Sequence, residues 1–183
     1  MNWINTIKNY NTCNEQEAKD KEIILKCIED SKNILTRENE VAHITSSGFI
    51  INKAKDKVLM IYHNIYNSWA WTGGHADGEE DLLKVAIREA QEETGIMKVV
   101  PLTDEIVSLD ILTVVGHIKK GKYVAPHLHL SIAYLLIANE DESLKIKPDE
   151  NSGVKWLPLD EIAQYSNEPY MVKVYEKIIK KIK

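Results

Sequence analysis

Three glutamates, Glu89, Glu92 and Glu93, stand in the stretch Arg88-Glu89-Ala90-Gln91-Glu92-Glu93-Thr94-Gly95-Ile96. Carboxylates gathered in this way either solvate a helix face or converge on a hard cation. Taken alone, such a run is roughly ten times more often the former. Like charges three and four residues apart on a helix repel one another, and a carboxylate turned into the core without a partner is strongly unfavourable. A divalent cation relieves both problems. Mg²⁺ prefers six oxygen ligands and usually completes its shell with water and substrate phosphates, so the chemistry to expect is metal-assisted phosphate chemistry.

The geometry comes from the element that carries them. Asp81 to Thr94 has strong helix formers, no interior Gly or Pro, and Gly95 just past its end as a stop. At about 100° per residue with Leu82 at zero, Leu82, Ala86, Ala90, Leu83 and Ile87 span about 0° to 140° and predict one apolar face. Glu89 falls near −20°, Glu93 near +20° and Glu92 near −80°, so the carboxylates overlap one edge of that face, with Glu93 the deepest. Arg88, near −120°, reaches only part of the cluster. In the preceding loop, Gly73, Gly74 and Gly78 allow close backbone approach, and Gly74 can offer its carbonyl oxygen as a further ligand. Glu80 sits at the helix start, where the dipole favours a carboxylate.

The complete spacing is far more specific than the glutamates alone. It reads Gly74, five residues, Glu80, seven residues, Arg88-Glu89, two residues, Glu92-Glu93, one residue, Gly95. Seven fixed positions at average residue usage would coincide by chance roughly once in a million such chains. From Gly74 to Ile96 the segment resembles the Nudix box, the signature of the Nudix hydrolase family, with Ala90 in place of a larger aliphatic residue as the one soft departure. Weaker similarity covers roughly Val41 to Leu159.

That resemblance implies an α/β fold, a Nudix-like α/β/α sandwich with a mixed sheet. It implies Mg²⁺, or Mn²⁺, held by Glu89, Glu92, Glu93 and the Gly74 carbonyl. Arg88 would orient the acidic residues by pairing with Glu80, with Gly95 as structural support. The implied reaction is attack of water on phosphorus in a nucleoside diphosphate linked to another moiety, with Glu89 or Glu93 the choices for the base. A non-catalytic nucleotide-binding regulator of the same fold is the alternative, and the intact acidic set argues against it. Markers of several subgroups are missing. Ile111 stands where ADP-ribose hydrolases carry proline, no Ser-Gln-Pro-Trp motif occurs, and no tyrosine near Thr113 suggests dinucleoside polyphosphates. The substrate stays open.

Other residues carry weaker signals. His75 follows the glycine pair and could touch a substrate phosphate or only cap the loop. Trp69 and Trp71 could stack a nucleobase, although a buried anchor is the commoner role for tryptophan. His127 and His129 share a strand face, yet no third ligand lies near them in sequence, which favours a structural role over a metal site. His43, His63 and His117 form no pattern.

The remaining elements must position this helix. Val41–Ile51 and Lys57–His63 read as a β-hairpin across a turn at residues 52–56. Trp69 to Gly74 reads as an aromatic strand broken by glycines. Ile106–Val115 and Leu128–Ala138 read as long strands joined through Lys119-Lys120-Gly121-Lys122, followed by a short strand near Val154–Leu157 and helices near Leu159–Ala163 and Pro169–Ile182. Helical texture from Glu15 to Leu35 predicts an N-terminal helical extension over residues 1–38, ahead of a hydrolase domain over 39–183. Those helices would pack across the sheet or support a homodimer.

The 183 residues, 44% hydrophobic and 28% charged, are those of an ordinary folded protein. A net charge of −5 without a basic cluster in the body of the chain excludes a duplex nucleic-acid footprint. The lysines at 173, 177, 180, 181 and 183 are expected on the solvated face of a terminal amphipathic helix. Cys13 and Cys27 fit neither a disulfide framework nor a zinc motif. With no signal-like start and no run of membrane-spanning length, a small-molecule enzyme of the cytoplasm, without a membrane partner, is expected.

Overall fold

The strand β1 (Ala42–Ile51) is buried along its whole length because both of its faces are covered. In the computed structural model, which describes residues 2–119 and 121–182, Ile44 and Ile50 enter one hydrophobic core while Phe49 and Ile51 enter another. The main sheet also contains β2 (Lys57–His63), β3 (Ser68–Ala70), β4 (Thr72–His75), β5 (Val99–Val114), β8 (His127–Ala138) and β9 (Asn151–Pro158). Its order is β3-β2-β1-β8-β5, with β4 also paired to β1 and β9 to β2. The β1–β8 pair is parallel and the others are antiparallel, so the sheet is mixed.

The helices α1 (Trp3–Asn9), α2 (Glu15–Asp30) and α3 (Leu82–Thr94) contribute to the first core, which includes Trp3, Ile7, Ile24, Leu82, Ala86 and Ala90. The short α4 (Ile162–Tyr165) and the terminal α5 (Pro169–Ile182) cover the other face, through residues such as Met171, Val174, Tyr175 and Ile178. The architecture is the expected α/β/α sandwich, and the N-terminal helices share their core with α3.

Local differences from expectation have physical causes. The turn after β1 is held by Asn52, whose Oδ1 accepts from the N–H groups of Asp56 and Lys57. Pairing lasts only through Ile50–Leu59 and Ile51–Val58, after which β3 pairs with β2 from Ile61 to His63, while β9 pairs with β2 along its whole length. The glycine pair does not break a strand; Gly73 and Gly74 lie inside β4, paired with Ser47 and Ser46, and the break falls at Trp71. The link between the long strands forms its own small hairpin of β6 (His117–Lys119) and β7 (Lys122–Val124); Lys120, within that link, lies outside the described residues.

The helix α3 starts at Asp81, whose carboxylate accepts from the Lys84 N–H at 3.0 Å, and it ends at Gly95 with φ of +75°. Its buried residues are Leu82, Val85, Ala86, Ala90, Glu93 and Thr94. On the wheel these run from about −60° to 120°, so the buried arc is turned toward the carboxylates and Glu93 lies near its centre instead of its edge. At Gly95 a side chain would meet a left-handed backbone and lie 2.8 Å from Lys145 Cβ. Gly95→Ala is therefore expected to cost about 1–2 kcal/mol, lowering the melting temperature by roughly 2–8 °C in a thermal unfolding scan.

The terminal lysines do not all face solvent. Lys177 is buried, with its Nζ 2.6 Å from Asp110 on β5 and 3.0 Å from Glu17 on α2. Lys181 adds a contact of 3.3 Å to Glu17. Lys183 lies outside the described residues. The helical wheel could not show that two anions from distant elements close over this side of α5. Among the described residues, no helix is long and apolar enough to cross a membrane.

Candidate active site

One face of β1 changes character along its length. His43, Thr45 and Ser47 precede Phe49 and Ile51, and on β8 His129 and Ser131 precede Ala133 and Leu135 in the same alternation. The apolar ends lie under α5, and Thr45, Ser47, His129 and Ser131 line a cleft of about 910 Å³ that also contains Gly73, Gly74, Glu89, Glu92, Glu93 and Glu150.

At the edge of this cleft α3 presents its carboxylates to β4. Glu93, only 3% exposed, accepts the Gly73 N–H through Oε2 at 3.0 Å. Burial pushes its carboxyl well above the usual range, and the negative charges of Glu150 and Glu89 push the same way against that single hydrogen bond. Glu89, Glu93 and Glu150 bring one carboxylate oxygen each within 4.8 Å of one another. Gly74 lies directly against this group, since a Cβ there would stand 2.4 Å from the Glu89 carboxyl carbon.

Glu92 does not join the convergent group. It takes Lys147 at 3.0 Å and lies 3.9 Å from Arg88. Arg88 pairs with its neighbour Glu89 at 2.8 Å, not with Glu80. The long Arg88 side chain reaches partners on its C-terminal side, Glu89 and Glu92, whereas a wheel records only where its Cα points. Glu80 remains exposed at the helix start. Lys147 bridges Glu92 and Glu150, the latter also at 3.0 Å. Burial works against its charge, but hydrogen bonds to both carboxylates raise its proton affinity above the usual lysine range.

Four carboxylates, Glu89, Glu92, Glu93 and Glu150, thus share two cationic partners, Arg88 and Lys147. With all four ionised, two negative charges would be left over, the charge of one divalent cation. The oxygen-only donors and the bare Gly74 backbone also fit a hard ion. Glu150 is the residue that sequence reasoning missed. It comes from a loop more than fifty positions beyond the box, and no local pattern marks it.

The other predicted positions divide. Trp71 lines the cleft but is nearly buried, with its ring edge-to-face with Tyr175 at 5.6 Å. Trp69 packs on Tyr62. His75 and His129 line both the cleft and an adjoining hollow of about 400 Å³. Burial, reinforced by neighbouring cations and imidazoles, lowers the proton affinity of His75 to about 3 and of His129 to about 2.

Residues 42–181 match the family model described as the NUDIX domain. The chain belongs to the Nudix family. This Nudix hydrolase is 29% identical over 141 residues to an RNA pyrophosphohydrolase of Pelagibacter ubique (strain HTCC1062), covering 74% of this chain and 89% of that one. It is 30% identical over 121 residues to the asymmetrical bis(5'-nucleosyl)-tetraphosphatase of Rattus norvegicus, covering 66% and 70%. Its fold is similar to that of a C. elegans Ap4A hydrolase solved as a binary complex, with a TM-score of 0.54 at 23% identity over 73% of this chain and 93% of that one. As a Nudix hydrolase it is an enzyme of pyrophosphate bonds.

A side chain at Gly74 has no room beside Glu89. Gly74→Ala places a methyl group where the Glu89 carboxylate now sits, and one of the two must move by about an ångström. The expected result is a fall of about 10²-fold in kcat. Circular dichroism and the melting temperature should change little, because the displaced group borders the cleft and not the hydrophobic core.

Proposed function

We propose that this Nudix hydrolase uses Mg²⁺, or Mn²⁺, to cleave the phosphoanhydride bond of a nucleoside diphosphate linked to a further moiety. The observation that carries the reading is the convergence of Glu89, Glu93 and Glu150 on the bare backbone of Gly74 at a cleft large enough for a nucleotide. Glu89, Glu93 and the Gly74 carbonyl would hold the ion, with Glu150 completing the group and Glu92 beside it. Bound there, a divalent cation supplies charge neutralisation for the phosphates and eases deprotonation of the attacking water.

The chain's own residues do the positioning. Gly73 N–H fixes one oxygen of Glu93 and leaves the other for the shared centre. Arg88 restrains Glu89, and Lys147 restrains Glu92 and Glu150 together, so the carboxylates are set before substrate arrives. The proton of the attacking water passes to a carboxylate oxygen of Glu89 or Glu93. Arg37 and Lys119 line the same cleft as cations for phosphate oxygens, and Tyr66 and Tyr170 offer rings for a base.

The test is a phosphate-release screen in Mg²⁺ over nucleoside triphosphates, dinucleoside polyphosphates, ADP-ribose, nucleotide sugars and 5'-triphosphorylated RNA. One class should turn over and lose its turnover in EDTA. Full activity in EDTA would overturn the metal requirement, and binding without turnover of every compound would overturn the proposed reaction.

A further inference from the structure

Beside the carboxylates lies a second group of metal-ligand type that hydrolysis leaves unused. His43 on β1, His75 on β4, and His127 and His129 on β8 each bring one ring nitrogen within 4.8 Å of the others. Strand register assembles them. His43 is the direct partner of His129 across the parallel β1–β8 ladder, and Thr45, two residues along, is the partner of His75 across β1–β4. His127 precedes His129 by the two-residue repeat that keeps strand side chains on one face.

Carbonyl oxygens set the proton on two of the rings. His43 Nδ1 lies 2.9 Å from Asn39 O, and His127 Nδ1 lies 2.8 Å from Ala125 O. A carbonyl can only accept, so in both neutral rings Nδ1 carries the hydrogen and Nε2 presents a lone pair. A backbone carbonyl behind an imidazole is the usual support of a metal-ligating histidine. The Nε2 of His43 is buried and has no hydrogen-bond partner among the described residues, an arrangement rare for a buried polar atom. A hydrogen bond between His127 and His129 would satisfy those two and still leave His43 without a partner.

Distances fit the same reading. His127 Nε2 and His129 Nε2 are 3.2 Å apart, close to the roughly 3.3–3.4 Å edge that tetrahedral metal–nitrogen bonds of about 2.0–2.1 Å require. Closing the widest separation to that edge takes about 1.5 Å, within the reach of imidazole rotation. Arg37, which lines the same hollow, is paired with Asp77 through two hydrogen bonds.

We propose that His43, His75, His127 and His129 form a binding site for a borderline divalent transition metal of the Zn²⁺ type, separate from the carboxylate centre. Imidazole selects such ions, whereas the oxygen-only carboxylate group selects Mg²⁺ or Mn²⁺. Four protein ligands make the site closed and structural. It ties the His75 end of β4, next to Gly74, to β1 and β8, and so fixes the wall common to the cleft and the hollow.

The test uses the untagged full chain, loaded with Zn²⁺ near neutral pH, dialysed against metal-free buffer and analysed for bound metal. One Zn²⁺ per chain should remain, and Co²⁺ in its place should give the visible absorption of a tetrahedral nitrogen site. The Glu89→Gln/Glu93→Gln variant should retain both signals, which separates this site from the hydrolytic one. His127→Gln, at a partly exposed position, should weaken Zn²⁺ binding at least about tenfold while circular dichroism in the absence of zinc is unchanged. His43→Gln should do the same, and if it fails to fold, His127→Gln decides. No retained Zn²⁺ in the wild type, retention at full affinity in His127→Gln, or loss in the double Glu variant would overturn the proposal.

Discussion

Glu93→Gln is expected to lower the Mg²⁺-dependent rate by about 10³-fold while the metal-free protein melts at the same or a higher temperature. The two halves of this result have one cause. Glu93 is buried beside Glu89 and Glu150, with a single N–H bond and no cation of its own. Without metal its charge is a liability to the fold, and glutamine of the same shape removes it. In the proposed metal-bound state that charge would be the deepest ligand of the group, and losing several kcal/mol of charge stabilisation at the transition state corresponds to the stated factor at about 1.4 kcal/mol per tenfold. Steady-state kinetics and differential scanning calorimetry with and without Mg²⁺ check it. Wild-type rates in Glu93→Gln would sink the assignment, and a large loss of metal-free stability would show that Glu93 is structural.

The second large effect lies at the edge of the sheet. Lys177→Met is expected to destabilise the protein by about 3–5 kcal/mol, because Glu17 and Asp110 stay buried after their shared cation has gone. For a chain of this size the melting temperature should fall by roughly 6–20 °C. Adding Glu17→Gln and Asp110→Asn to Lys177→Met should recover most of the loss, since uncharged groups of similar shape no longer need the cation. If the single variant melts like wild type, the buried triad is not holding α2, β5 and α5 together.

The same triad gives an acid dependence. Burial pushes the Glu17 carboxyl upward, but the Cys13 N–H, Lys177 and the Tyr10 hydroxyl outweigh it and hold the group at about 2. A carboxyl lowered on folding stabilises the folded state fully above its unfolded value, near 4.5, and that contribution fades as pH falls toward 2. The difference in melting temperature between wild type and Glu17→Gln should therefore shrink over that interval. Because Glu17 belongs to α2, a chain truncated to begin at Asn39 is expected to lose stability for the same reason.

The box from Gly74 to Ile96 was legible as chemistry because its constraints are local. One helix repeat fixes which carboxylates lie together, and Gly95 and Asp81 mark the ends through short-range backbone needs. Strand alternation likewise placed the main strands, and the terminal helix emerged from its amphipathic repeat. Partners supplied from elsewhere in the chain were not legible. Glu150 reaches the site on a loop, Lys177 is buried by α2 and β5, and His43 and His75 meet His127 and His129 only because β1 pairs with both β4 and β8. The buried arc of α3, which reaches Val85 on one side and centres Glu93, depends on what packs over the helix, which a wheel drawn from one helix cannot contain. Sequence by itself determined which carboxylates share one edge of α3, because helix periodicity acts over a few residues. Tertiary structure alone decided what surrounds them, because strand order and register join residues that no local period relates.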